Sequence, residues 1–290
     1  MPLSCDFHTH STASDGTLPP GELVRRARQA GVECLALTDH DTVAGLAEAA
    51  EAAAEVGLEL IPGVEISVSW QGHTVHVVGL NVDPGDPILR KGLAGLLEYR
   101  AWRAKEIGRR LEREGIPGGY EGARAFAKGE LVGRTHFAHF LVQQGHARDV
   151  REVFKRFLVQ GRPGHVPGDW ASLEDALGWI HGAGGVAVVA HPARYRMTRS
   201  KLRRLLGEFR ELGGEALEVV SGSHSRDDCY LMARHARDFG LAASAGSDYH
   251  GPENPWIQLG RLPELPPRCR PVWTLFETET HGAVLSDTSG

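Results

Sequence analysis

Two series of short apolar, β-branched runs, most of them separated from the next by a helical stretch, constrain this chain more than any other feature. The first series has strand-like runs at Leu3 to His8, Val32 to Thr38, Leu58 to Ser69 and His73 to Leu80, with helices from about Pro20 to Ala30 and Val43 to Val56. The second alternates helices at Leu173 to Ala183, Lys201 to Leu212 and Asp227 to Phe239 with strands at Val186 to Ala190, Ala216 to Val220 and Ala242 to Ser247. Such alternation predicts a parallel sheet flanked by helices. Between Asp86 and Pro167 the strand-like runs vanish; Ile88 to Glu114 and Val150 to Val159 read as helices. The expectation is an α/β fold, a distorted (β/α)7 barrel made of residues 1–85 and 168–290, with residues 86–167 as an inserted helical subdomain that meets the substrate. The tail from Pro252 is rich in proline and reads as irregular until about Pro271 to Glu279.

Bulk properties remove several classes of function. With 290 residues and 41% hydrophobic content the chain can bury a large core. A net charge of −5 gives no basic face for duplex DNA, although a cation-loaded pocket can still hold small anions. Cys5, Cys34, Cys229 and Cys269 lack CxxC spacing and read as reduced thiols of a cytoplasmic protein. The amino terminus lacks the pattern of a secretory leader, and no segment has the length of a membrane span. Oligomeric state is open.

The histidines carry the chemistry. His8, His10, His40, His76, His191 and His250 fall at or just beyond the carboxyl ends of predicted strands, where active sites of α/β barrels form. His8 and His10 are two apart on extended chain, so both side chains leave the same face. Asp15, Glu65 and Asp248 add carboxylates near the same rim, and a carboxylate can bridge two cations where an imidazole cannot. Glu65, closing the Leu60–Val64 run, is the natural bridge. Any one of these residues is more often a cap or a core hydrogen bond; the set as a whole matches the donors of a metal centre. His139, His146, His165, His181, His235 and His281 lie away from this pattern and are left out.

Asp6-Phe7-His8-Thr9-His10, Leu37-Thr38-Asp39-His40-Asp41, Gly63-Val64-Glu65, Ala190-His191-Pro192 and Gly246-Ser247-Asp248-Tyr249-His250 resemble, in order, the motifs of the PHP (polymerase and histidinol phosphatase) family. The resemblance implies three divalent ions. His8, His10, Glu65 and Asp248 would hold one, Asp15, His40 and His250 a second, and Glu65, His76 and His191 a third. Manganese is favoured by the oxygen ligand Asp15, with iron or zinc as alternatives. Asp6, Asp39 and Asp41 flank ligand positions, where they would orient imidazoles, with solvation as the plainer account of Asp41.

Three such ions bring about six positive charges against about three from the carboxylates, which suits a phosphate dianion and a bridging hydroxide as nucleophile. The resemblance places the catalytic burden on His8, Glu65, His191 and Asp248. For the substrate, Gly133-Arg134-Thr135-His136 offers a guanidinium, a hydroxyl and an imidazole before a helical run, Arg103, Lys105 and Glu106 lie on the preceding helix, and Arg194 and His224 follow barrel strands. Within the family the arrangement is most similar to phosphatases of 3′,5′-nucleoside bisphosphates, which convert pAp to AMP. A 5′-3′ exoribonuclease on short 5′-phosphorylated RNA, a histidinol-phosphate phosphatase and a non-catalytic binding module are the alternatives.

Overall fold

The computed structural model describes residues 4–276; His281, Leu3 and the end of the Pro271 to Glu279 run lie outside them. Seven strands form one sheet in chain order: β1 (Cys5–Asp6), β2 (Cys34–Leu37), β3 (Glu59–Trp70), β4 (His73–Leu80), β5 (Val186–Val189), β6 (Ala216–Ser221) and β7 (Ala242–Gly246). The ends meet: Phe7 N–H donates to Ala245 O at 2.9 Å, and Thr9 bridges Tyr249 in parallel register. The result is a nearly closed barrel.

The parallel expectation fails at one strand. β4 runs antiparallel to both β3 and β5, whereas the remaining neighbours are parallel. Only Gln71 and Gly72 join β3 to β4, both at positive φ (44° and 78°), and a connection that short can make only a tight hairpin. The reversal explains His76, which stands near the start of its strand and not at the carboxyl end. Because β4 is reversed, its start lies at the rim where the parallel strands finish.

Period-two alternation then sorts the side chains. Cys34 and Ala36 of β2, Ile61 of β3, Val78 and Leu80 of β4, Val186 and Val188 of β5, Ala216 of β6 and Ala242 of β7 share the barrel interior with Phe7. The alternate residues face the helices. Leu35 and Leu37 pack with α1 (Pro20–Gln29) and α2 (Leu46–Val56), whereas Val64, Ile66, Leu217 and Val219 pack with the later helices. Continued upward, the interior series runs Ile61-Gly63-Glu65, Leu80-Val78-His76 and Ala216-Glu218. An apolar floor therefore gives way to a polar layer. The neighbouring inward position on β7 is Gly246, where a Cβ would stand 2.3 Å from His8 Cβ.

After β4, Asp86 accepts from Ile88 N–H (3.0 Å) and Leu89 N–H (2.7 Å) and starts α3 (Pro87–Arg113), with Pro87 in the first turn. Then come α4 (Gly119–Phe126), absent from the sequence expectation, α5 (Arg134–Gln143) and α6 (Val150–Val153), which runs into a π-helical turn at Phe154–Leu158. Ala104, Ile107, Leu111, Phe137, Leu141 and Leu158 form a core distinct from those of the barrel. The chain returns through α7 (Leu173–Gly182), α8 (Arg199–Glu211) and α9 (Arg226–Phe239), each begun by a Ser or Thr whose hydroxyl accepts from the N–H three residues on.

Candidate metal centre and cleft

Nine residues that the sequence singled out meet at the open end of the barrel. His8, His10, Asp15, His40, Glu65, His76, His191, Asp248 and His250 fall into four overlapping groups whose ligating atoms lie within 4.8 Å of one another. Glu65, fully buried, is the hub. Its Oε1 stands 2.8 Å from His76 Nδ1 and 3.0 Å from His191 Nε2; its Oε2 stands 3.3 Å from Nε2 of both His8 and His10 and 2.8 Å from His40 Nδ1. Asp248 Oδ1 lies 3.7 Å from His8 Nε2 and 3.4 Å from His10 Nε2, which are 3.0 Å apart. On the outer side, Asp15 reaches His250 Nε2 at 3.3 Å and His40 Nε2 at 3.9 Å.

This set fits cations. Ligands held about 2.0–2.2 Å from an ion stand roughly 2.8–3.6 Å from one another at right-angle to tetrahedral geometry, close to the spacings observed. Close as they stand to one another and to His250, Glu65 Oε2, His40 Nδ1 and Asp15 Oδ1 are buried and not aligned for a hydrogen bond, as expected of atoms that face an ion and not a proton donor. Electrostatics agree. Burial opposes charge on Asp15, Glu65 and Asp248, yet the surrounding imidazoles hold all three carboxyls well below the usual range. Burial pushes His10 down to about 3 and His76 to about 4, leaving lone pairs free, while the carboxylates overcome burial at His8, His40 and His250 and raise them, His250 to about 10.

Three residues here have left-handed backbone: Asp41 (φ 53°), His191 (φ 29°) and Asp248 (φ 59°). For side chains other than glycine this conformation is costly, and it turns each away from the plain strand direction. Hydrogen bonds enforce it: Asp248 N–H donates to His8 O at 2.8 Å, and His191 N–H donates to Glu218 Oε2 at 2.5 Å.

Glu218 is the residue touching the centre that sequence reasoning missed. Its other oxygen lies 2.7 Å from His8 Nδ1, so one buried carboxylate fixes two putting-forward residues of the centre, the ring of His8 and the backbone of His191. The signal was present: a lone carboxylate inside the apolar strand Ala-Leu-Glu-Val-Val. The aspartates named as imidazole-orienting do other work. Asp39 accepts from Ser11 N–H (2.7 Å), Ser11 Oγ (2.6 Å) and Ser14 Oγ (2.6 Å), pinning the loop that carries Asp15. Asp6 accepts from Ser247 N–H at 2.7 Å. Asp41, far from solvated, is buried and accepts from Ser67 N–H (2.7 Å) and Arg100 Nε (2.5 Å), which ties α3 to the rim.

A cleft of about 780 Å³ opens from the centre toward α3 and α5. Arg103, Arg134, Thr135 and Arg194 line it, and so do Arg100 and His139, which the sequence reading passed over. Burial and mutual repulsion lower Arg103 to about 10 and bring Arg134 down as well, so the guanidiniums are crowded yet charged at neutral pH. Arg194 pairs with Asp248. Four nominated residues do not reach the cleft wall. Lys105 is exposed on another face of α3, and Glu106, one turn beyond Arg103, pairs with Arg109 (2.8 Å) and Arg110 (2.9 Å). His136 is buried and accepts from Gly133 N–H at 3.0 Å, serving the start of α5. His224 is held by Val219 O at 3.2 Å.

Residues 6–218 match the PHP domain. The chain belongs to the PHP family. Among its relatives, this PHP protein is 50% identical over 273 residues to a 3′,5′-nucleoside bisphosphate phosphatase of Chromobacterium violaceum, covering 94% of this chain and 96% of that one. It is 47% identical to the 5′-3′ exoribonuclease Rnm of Escherichia coli, covering 94% and 93%. Among solved structures, one described as an amidohydrolase from Chromobacterium violaceum, with bound sulfate and no metal, shares 50% identity with a TM-score of 0.90 over 95% and 96% of the two chains. Another, described as a metal-dependent phosphoesterase from Bifidobacterium adolescentis, shares 29% identity with a TM-score of 0.78 over 96% of each. The chain is thus a metal-dependent phosphoesterase of the PHP family.

Proposed function

We propose that this PHP protein removes the 3′-phosphate of 3′,5′-nucleoside bisphosphates, taking pAp to AMP and phosphate. The observation that carries the reading is the adjacency of two phosphate-ready regions, the nine-residue centre and the guanidinium cluster of the cleft. The name of the Chromobacterium violaceum relative supports it. In this reading three ions, manganese by preference, are held by His8, His10, Glu65 and Asp248, by Asp15, His40 and His250, and by Glu65, His76 and His191. When bound they supply a water of lowered pKa and neutralise phosphate charge.

The chain's own residues do the rest. Arg103 of α3 and Arg134 of α5, guanidinium forks that both line the cleft, grip the phosphate that is not cleaved, and Thr135 with the first N–H groups of α5 adds donors. Arg194, half-exposed and resting on Asp248, is placed to contact the phosphate that leaves. Residues 86–167 serve as the substrate-reading insert on the barrel of 1–85 and 168–290. No helix among the described residues is long and apolar enough to cross a membrane, and we place the reaction in the cytoplasm. The relatives named as exoribonucleases favour a second reading, removal of 5′-terminal nucleotides from short RNA by the same centre.

Phosphate release from pAp, AMP and a short 5′-phosphorylated RNA, each with manganese, separates these readings. Fast turnover of pAp, lost in His191→Ala, is the expected result. Nucleotide release from RNA without phosphate release from pAp would favour the second reading, and inactivity of metal-loaded protein on every substrate would refute both.

A further inference from the structure

We propose that Trp256 is a stacking platform for a nucleobase of the substrate, an assignment that rests on the nucleotide reading above. Trp256 is 90% exposed, whereas Trp70, Trp170 and Trp179 pack against the barrel core. It lines the same cleft as the metal-centre residues, six positions after His250.

Its segment is held in place. Ile257 packs against the α1 and α2 core and Leu259 is buried in it, Trp256 N–H donates to Asn254 Oδ1 at 3.3 Å, and Glu253 accepts from the Thr17 hydroxyl at 2.6 Å. The chain on both sides of the indole is thus tied down while the indole itself faces water.

The other large aromatic faces of the cleft are already used. Arg100 and Arg103 stand 5.0 and 5.4 Å from the Trp170 ring, and Arg134 stands 5.7 Å from that of Phe154. Among the described residues no ring or guanidinium covers Trp256. A nucleotide anchored through its phosphates at the centre and the guanidiniums must lay its base against some wall, and this is the open π surface. An indole face stacks on any base, so it reads the presence of a base and not its identity.

The test compares AMP, ribose 5-phosphate and the dinucleotide pApA binding to manganese-loaded wild type, Trp256→Ala and Trp256→Phe by calorimetry. Stacking of one base predicts that Trp256→Ala weakens AMP about tenfold and leaves ribose 5-phosphate unchanged, with Trp256→Phe restoring most of the loss. Weakening of pApA alone would also support the platform and place the second base on it. Unchanged affinity for both base-bearing ligands, or an equal loss for ribose 5-phosphate, would overturn it. Turnover of pAp in the same preparations reports on the proposed function separately, because the binding comparison stands without catalysis.

Discussion

Replacing Glu218 by glutamine keeps the volume of the side chain and removes its charge. In the wild type one oxygen takes the Nδ1 proton of His8 (2.7 Å) and the other takes the His191 N–H (2.5 Å). Glutamine has a single acceptor oxygen. If that oxygen serves His191, the amide NH2 faces His8 Nδ1, which must then accept. The ring proton moves to Nε2, the atom pointed at His10, Glu65 and Asp248, and His8 is lost as a ligand. Loss of such an orienting partner lowers metal affinity about 10- to 100-fold. By linkage, that is about 1.4–2.7 kcal/mol less stabilisation by a given manganese concentration. Equilibrium dialysis with metal analysis gives the affinity, and thermal unfolding with and without manganese gives the linked stability. Wild-type manganese affinity in Glu218→Gln would refute the tautomer argument, as would a loss of stability equally large in metal-free protein.

Loading metal at pH 7 should release protons, from His250 first, which is raised to about 10, with His8 and His40 also shifted upward by the carboxylates, while His10 and His76 are already neutral. Affinity then falls as pH drops; calorimetry in buffers of different ionisation enthalpy counts the protons, and a count of zero contradicts the charge assignment. Arg134→Ala should raise KM for pAp at least about tenfold with a smaller effect on a substrate carrying one phosphate, while Lys105→Ala leaves both unchanged; steady-state kinetics decide. Asp39→Ala strips three short hydrogen bonds from the Ser11 to Ser14 loop and should cost about 2–4 kcal/mol in denaturant unfolding of the metal-free protein. A loss under about 0.5 kcal/mol would show that the loop is held by other contacts.

Much of the centre was legible because strand ends in a barrel converge whatever the intervening sequence, so residues as distant as His8 and Asp248 could be assigned to one rim from their positions alone. His76 does lie at that rim, but through the reversal of β4 by the Gln71-Gly72 hairpin and not as a carboxyl-end residue; two residues between β-branched runs are the sign of it. The lone carboxylate in an apolar strand marks Glu218 as unusual, but its role comes from touching His8, 210 residues away, and no local pattern encodes that contact. Lys105 and Glu106 were nominated by closeness to Arg103 in sequence, but at 3.6 residues per turn Lys105 leaves another side of α3 and Glu106 stands a turn further along. His139 shows the opposite case, one turn past Thr135 and so on the cleft side of α5.

In the proposed function a single centre organised by Glu65 cleaves one particular ester of a bisphosphate. The most direct test is chromatographic identification of the products of pAp incubated with manganese-loaded wild type and Glu65→Gln. The prediction is AMP and phosphate in equal amounts from the wild type, none when a chelator is present, and none from the variant. Adenosine 3′-phosphate as the product, or turnover that survives both the chelator and the substitution, would contradict it.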